Sequence, residues 1–183
     1  MTASEELQVL AIVTGRLDSA GVPYMLTGSM ALNYYAVPRM TRDIDLVVEL
    51  SEPAADVPVA LFRDDFYVDA DAVRQAIVDR GSFNVIHSRL LVKVDLLVRK
   101  DTEYRRVEFG RRRRVSLGEH SFDIVTPEDL IISKLDWARD TRSETQLSDA
   151  RSLVRMVPDL DRGYLQQWIA RLGLEALYRE LTR

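Results

Sequence analysis

The chain of 183 residues is 46% apolar and 30% charged, the profile of a globular protein long enough to bury one hydrophobic core. A net charge of -4 and a pI of ≈ 5.3 exclude a surface built throughout to neutralise nucleic acid, so any such contact would be local. The lack of cysteine excludes disulfides and zinc-thiolate centres; with no apolar run near the ~20 residues of a membrane helix and no signal-peptide pattern at Glu5-Glu6, a cytoplasmic protein without membrane contact is predicted.

Leu7, Leu10, Ala11, Val13, Thr14 and Leu17 recur at helical spacing over residues 5 to 20, and Gly21-Val22-Pro23 stops that helix. Tyr24 to Thr27 reads as a short strand. Gly28-Ser29 turns the chain into a helix carrying Met30, Ala31, Tyr34 and Tyr35, which must end before Pro38. Ile44 to Leu50 is β-branched and aliphatic, as expected of a strand buried on both faces. Helices follow near 54 to 63 and over 71 to 80, the second closed by Gly81. Residues 82 to 87 and 90 to 98 form a predicted hairpin, 101 to 109 a helix, and 112 to 117 with 121 to 125 a second hairpin turning at Gly118. Thr126-Pro127-Glu128-Asp129 is a helix start with an N-cap, a proline at the first position and acids in the first turn. Three or four helices run from there, with breaks at Gly163 and Gly173. The predicted division is an α/β core over 1–125 and a helical region over 126–183 packed on it, giving an α+β protein.

Chemistry concentrates between Gly28 and Asp45. Asp43 and Asp45 lie two apart on a strand, so both side chains leave the same face with Cα atoms about 6.5 Å apart. Their oxygens can share a cation such as Mg²⁺, which keeps waters and substrate phosphates in its shell; paired ions can activate an attacking oxygen and stabilise a leaving one. Asp95 is the only acid within the other strongly apolar strand, and is the candidate third ligand. The chain also holds Asp69-Ala70-Asp71 and Asp159-Leu160-Asp161, but those pairs adjoin predicted helix starts, where acids cap backbone N–H groups. Asp43 and Asp45 instead open a buried strand, where like charges are costly unless neutralised. Gly28-Ser29 sits at a strand-to-helix turn whose free amides suit a phosphate, with Ser29 adding a hydroxyl.

Gly-Ser, a spacer, Asp-x-Asp in an apolar strand and a later lone acid together resemble the nucleotidyltransferase superfamily with the DNA polymerase β-like fold. The phrases Gly28-Ser29-Met30-Ala31-Leu32 and Arg39-Met40-Thr41-Arg42-Asp43-Ile44-Asp45 are similar to its AbiEii-type branch, which includes toxins of toxin-antitoxin systems. Thr126-Pro127-Glu128-Asp129-Leu130, Lys134-Leu135 and Ser148-Asp149-Ala150-Arg151 are similar to the branch's helical segment. The resemblance implies transfer of a nucleoside monophosphate from an NTP to an acceptor hydroxyl on RNA or tRNA, a protein or a small molecule, with an antitoxin protein as a further partner. Asp43, Asp45 and Asp95 would bind two Mg²⁺ ions, which Mn²⁺ could replace, and Asp95 would help activate the acceptor. Gly28 and Ser29 would hold the triphosphate.

Several residues carry two readings. Arg39 and Thr41 contact phosphate or fix the loop, and Lys134 contacts phosphate or is a solvated helix lysine. Asp149 matches a motif acid, although Ser148 stands where the branch has Arg or Lys. Lys93 shares the face of Asp95 and can pair with an acid or touch phosphate. Arg111 to Arg114 is a rail for a nucleic-acid backbone or triphosphate, or an edge strand guarded by charge. Trp137 and Trp168 are expected in the core. The alternative for the whole chain is an inactive binding module that keeps the fold.

Overall fold

The computed structural model describes residues 4–181. A seven-stranded mixed sheet runs in the order β3-β4-β5-β2-β1-β7-β6, with β1 at Tyr24–Thr27, β2 at Asp43–Val48, β3 at Phe66–Val68, β4 at Ser82–His87, β5 at Lys93–Val98, β6 at Arg113–Leu117 and β7 at His120–Ile124. The helices are α1 (Glu5–Ser19), α2 (Gly28–Tyr35), α3 (Asp56–Phe62), α4 (Ala70–Asp79), α5 (Glu103–Gly110), α6 (Pro127–Thr141), α7 (Glu144–Met156), α8 (Arg162–Leu172) and α9 (Glu175–Leu181). This is the mixed α and β architecture read from the sequence. Among the described residues no helix is long and apolar enough to cross a membrane.

Two pairings place the site. Strand β1 runs antiparallel to β2 with Thr27 opposite Asp45, so the turn after β1 arrives beside the second acid. Strand β2 runs parallel to β5, pairing Asp43 with Lys93 and Asp45 with Asp95. On one face Ile44, Leu46, Val48, Val94, Leu96 and Val98 are fully enclosed. On the other, the positions of Asp45, Val47, Asp95 and Leu97 are only half-buried. The expectation of a strand buried on both faces is therefore corrected: β2 has one core face, and its second face is the floor of a cleft.

Helix ends follow local chemistry. Ser4, Asp69, Thr102, Thr126, Ser143 and Asp161 each accept a hydrogen bond from a first-turn amide, so Asp69 and Asp161 act as the expected caps. Gly173 ends α8 in the left-handed region at φ 68, as expected. Gly81 does not end α4, since Arg80 takes the left-handed position at φ 48. Nor does Gly163 break a helix; it lies within the first turn of α8, and the break precedes Asp161. Strand β3 has no counterpart in the sequence reading, because three residues are too few to display a period.

The single core cluster runs from α1 through the sheet to α9, and Leu96 at its centre is almost fully enclosed. Leu96→Ala should cost about 2–5 kcal/mol. Urea unfolding of the purified variant measures this through a lower midpoint.

Candidate active site

Gly28 opens α2 at φ +65, a conformation that L side chains rarely adopt. A Cβ there would fall 2.7 Å from Cγ of Asp45 and collide with its carboxylate oxygen. Glycine is thus required twice, once for the turn and once for the approach of the acid. Thr27, the N-cap, makes no side-chain cap hydrogen bond, so no side chain caps the amides of this helix start, and they lie beside the acids.

Asp45 lines a cleft of ≈ 500 Å³ together with Gly28, Ser29, Lys134 and Trp137. Asp43 and Asp95 flank it on the open face of β2 and β5, and Lys93 stands between them. Its ammonium is 2.8 Å from Asp95 Oδ2 and 3.8 Å from Asp43 Oδ1. The hydrogen bond to Asp95 is the main reason the Lys93 ammonium is held above the ordinary lysine range. Burial pushes the Asp45 carboxyl up, Asp95 and Asp43 add to the rise, and Lys134 and Lys93 oppose it. Among the described residues no three acid or histidine side chains close into a preformed metal cage. The donor set still fits a hard divalent cation: three carboxylates share one face, one of them raised by burial and then by its like-charged neighbours, and magnesium completes its shell with waters and phosphates.

An ion cluster with a buried centre backs the turn. Arg39 donates from Nε and Nη2 to the two carboxylate oxygens of Asp149, each at 3.1 Å, and from Nη2 to Ser29 Oγ. Lys134 donates to Asp149 Oδ2 at 2.7 Å; it is only 4% exposed and Asp149 5%. Asn33 pins the arginine from α2, its amide exchanging two 2.9 Å hydrogen bonds with the Arg39 backbone. Lys134 is therefore not a solvated helix lysine. Asp149, without the basic neighbour its motif leads one to expect, is the common partner of both cations. Thr41 lies on the exposed loop before β2, donating to the Asp43 carbonyl at 3.3 Å, and does not line the cleft.

Trp168 is buried, but Trp137 is 61% exposed and forms part of the cleft wall, against the expectation of a core residue. The helical period groups Leu130, Ser133, Lys134 and Trp137 on one face of α6, and that spacing signals a shared face without saying what the face meets. Asn33 carried no sequence signal. The arginine run lies mostly in salt bridges on the edge strand β6 or just before it: Arg111 pairs with Asp129, Arg112 with Asp123 and Arg114 with Asp18. That arrangement is the charge-guarded edge.

The fold defined here is that of the nucleotidyltransferases. No protein-family model and no curated protein matches the sequence, whereas solved structures do. An antigenic nucleotidyltransferase-like protein from Paracoccidioides brasiliensis superposes with a TM-score of 0.59 at 19% identity, covering 98% of this chain and 94% of its own. ANT(2'')-Ia, solved with adenylyl-2''-tobramycin, gives 0.54 at 14% identity, with 98% of each chain covered. The lincosamide antibiotic adenylyltransferase LnuA, solved with lincomycin bound, gives 0.54 at 11% identity over 85% of this chain and 99% of its own. At such identities the likeness establishes the fold.

Two outcomes follow from the electrostatics. Asp149→Ala leaves the Lys134 ammonium buried without its partner and should cost about 3–5 kcal/mol, read as a fall in melting temperature; melting like the parent would show the cluster to be dispensable. Because the folded Asp45 carboxyl holds its proton more tightly than the unfolded one, its contribution to stability is present at acid pH and lost as pH rises through the folded value. Asp45→Asn, measured in chelator, should then be more stable than the parent at neutral pH, with the gap closing as pH falls into the ordinary aspartate range. A gap that widens on acidification would reverse the sign.

Proposed function

We propose that the chain is a metal-dependent nucleotidyltransferase that moves a nucleoside monophosphate from an NTP to an acceptor hydroxyl. One observation carries the reading: Asp45 and Asp95 stand side by side in register, and Asp45 is in contact range of the Gly28 turn within a single cleft. Asp43, Asp45 and Asp95 would hold Mg²⁺, which when bound neutralises charge on the phosphates and on the attacking and leaving oxygens. Gly28, Ser29 and the start of α2 receive the β- and γ-phosphates through backbone amides and a hydroxyl. Lys134 faces the same cleft and adds positive charge.

The acceptor oxygen attacks the α-phosphorus in line; the new O–P bond forms as the bond to the bridging oxygen breaks, and pyrophosphate leaves. Asp95 takes the acceptor proton. Catalysis rests on positioning and charge neutralisation rather than on a covalent intermediate. Asn33 fixes the loop that carries Arg39, Arg39 in turn holds the Ser29 hydroxyl at the start of α2, and Thr41 steadies the approach to Asp43.

For the acceptor, the two antibiotic-bound neighbours favour a small molecule with a free hydroxyl, and RNA, tRNA and protein side chains remain in the same reaction class. The motif phrases favour the AbiEii-type branch, and with it a toxin role opposite an antitoxin protein. A second reading draws on Lys93, whose ammonium already sits between Asp43 and Asp95 in the manner of a built-in cation. On that reading the chain binds a nucleotide or a partner without metal and without turnover.

With α-labelled NTP and Mg²⁺, the parent should label an acceptor pool while Asp43→Asn and Asp45→Asn lose labelling by several orders of magnitude and stay folded. Mg²⁺ should also raise the melting temperature of the parent and not of Asp45→Asn. Labelling that survives both substitutions would overturn the enzyme reading, and metal-independent NTP binding without turnover would favour the second.

A further inference from the structure

Trp137 is the largest apolar side chain left open in the cleft, and nothing in the phosphate and acid chemistry uses it. Among the described residues neither a ring nor a cationic group stacks on its indole. It stands three residues beyond Lys134 on α6, about 4.5 Å further along the axis. On the sheet below, Val47 and Leu97 follow Asp45 and Asp95 by one pleat repeat, about 6.6 Å along the strands. Leu130 completes an apolar strip. Gln146, the first residue of α7 to face the cleft, holds a half-buried amide to which no described group donates or accepts a side-chain hydrogen bond. The cleft thus changes character along its length. Asp45 and the Gly28 turn stand at one end. Further along, Val47, Leu97 and Leu130 give an apolar floor beside the open face of Trp137 and the amide of Gln146, within a lining that also includes Arg80, Arg99, Lys100 and the paired Arg105 and Glu108.

We infer that Trp137 and the Val47–Leu97–Leu130 strip form the nucleobase subsite of the NTP, the base stacking on the indole and Gln146 reading its edge. The inference rests on the nucleotidyltransferase reading of the same cleft and names the part of the substrate that the acids and the glycine turn leave unplaced. The occupant is a planar heteroaromatic ring because the subsite pairs one flat apolar face with a side chain that offers a donor and an acceptor together. It is the ring of the nucleotide because the subsite continues directly from the triphosphate turn. The volume of ≈ 500 Å³ lies in the range of small-molecule sites. Trp137 and Gln146 are positioning and specificity residues; neither touches the reacting phosphorus.

The probes are the four NTPs and inorganic tripolyphosphate, each with Mg²⁺, measured by calorimetry and by tryptophan emission. Trp168 is buried, so solvent-exposed indole emission belongs to Trp137. At least one NTP should quench that emission while tripolyphosphate binds without quenching. Trp137→Ala should weaken the NTP about 5- to 150-fold, as loss of one base–aromatic stack does, and leave tripolyphosphate affinity unchanged. Trp137→Phe should restore most of the binding, and Gln146→Ala should narrow the preference among the four bases. NTP and tripolyphosphate binding alike, with no effect of Trp137→Ala, would overturn the subsite, leave the triphosphate reading intact and assign the indole to an acceptor ring or protein partner. Failure of both probes to bind the parent would overturn both readings together.

Discussion

The parallel register of β2 on β5 sets Asp45 directly beside Asp95, and the rest of the site is a response to that repulsion. Two carboxylates on adjacent strands, one of them largely desolvated, hold an energy that the fold must offset with positive charge. Lys93 supplies some of it from the same strand as Asp95, and Lys134 some from α6 above. The remainder is what a divalent cation and its bound phosphates would provide. Strain of this kind disfavours the resting protein and favours whatever brings the missing charge, as expected where function competes with stability.

The second constraint is reach. Ser29, Arg39, Asp149 and Lys134 belong to the start of α2, the loop before β2, α7 and α6, and one carboxylate ties them together. Asp149 is thus a hub rather than a ligand. It holds an arginine in fork geometry and a lysine as a point charge, the use each cation suits. The cost of burying Lys134 and Asp149 is met only if their partners are present, so the Gly28-Ser29 turn and the helical region stand or fall together.

What the sequence disclosed depended on how local each signal was. Asp43 and Asp45 were legible because they open an apolar strand, and Asp95 because it interrupts another; the fold class followed from the same strands and from Gly28. Cap residues such as Asp69 and Thr126 were legible because capping is settled within a single turn. Asn33 and the hub role of Asp149 were not, since each depends on a partner brought close only by the tertiary fold, for Arg39 and Asp149 across 110 positions. Trp137 was misread for a different reason. Helical spacing reports that Leu130, Lys134 and Trp137 share a side, but it reads the same whether that side meets a core or a cleft. Arg80 took the place expected of Gly81 although a left-handed residue with a Cβ carries a strain of roughly 1–2 kcal/mol, and spacing alone does not reveal that one-residue shift.

The span from Arg39 to Asp149 also has a bearing on how the protein comes into being. The strands that carry the three acids all lie in the first hundred residues, and β2 meets β5 across about half the span that separates Arg39 from Asp149. The carboxylate that fixes Arg39 and Lys134 follows both hairpins and α6 along the chain. Loop-closure entropy must be met before such a long-range contact returns any stabilisation. A chain emerging from the ribosome therefore holds Asp43, Asp45 and Asp95 well before it holds the carboxylate that fixes Arg39 and Lys134. The cluster behind the Gly28-Ser29 turn is completed late, when α7 docks, so a copy truncated before Asp149 lacks the contact that ties the helical region to that turn.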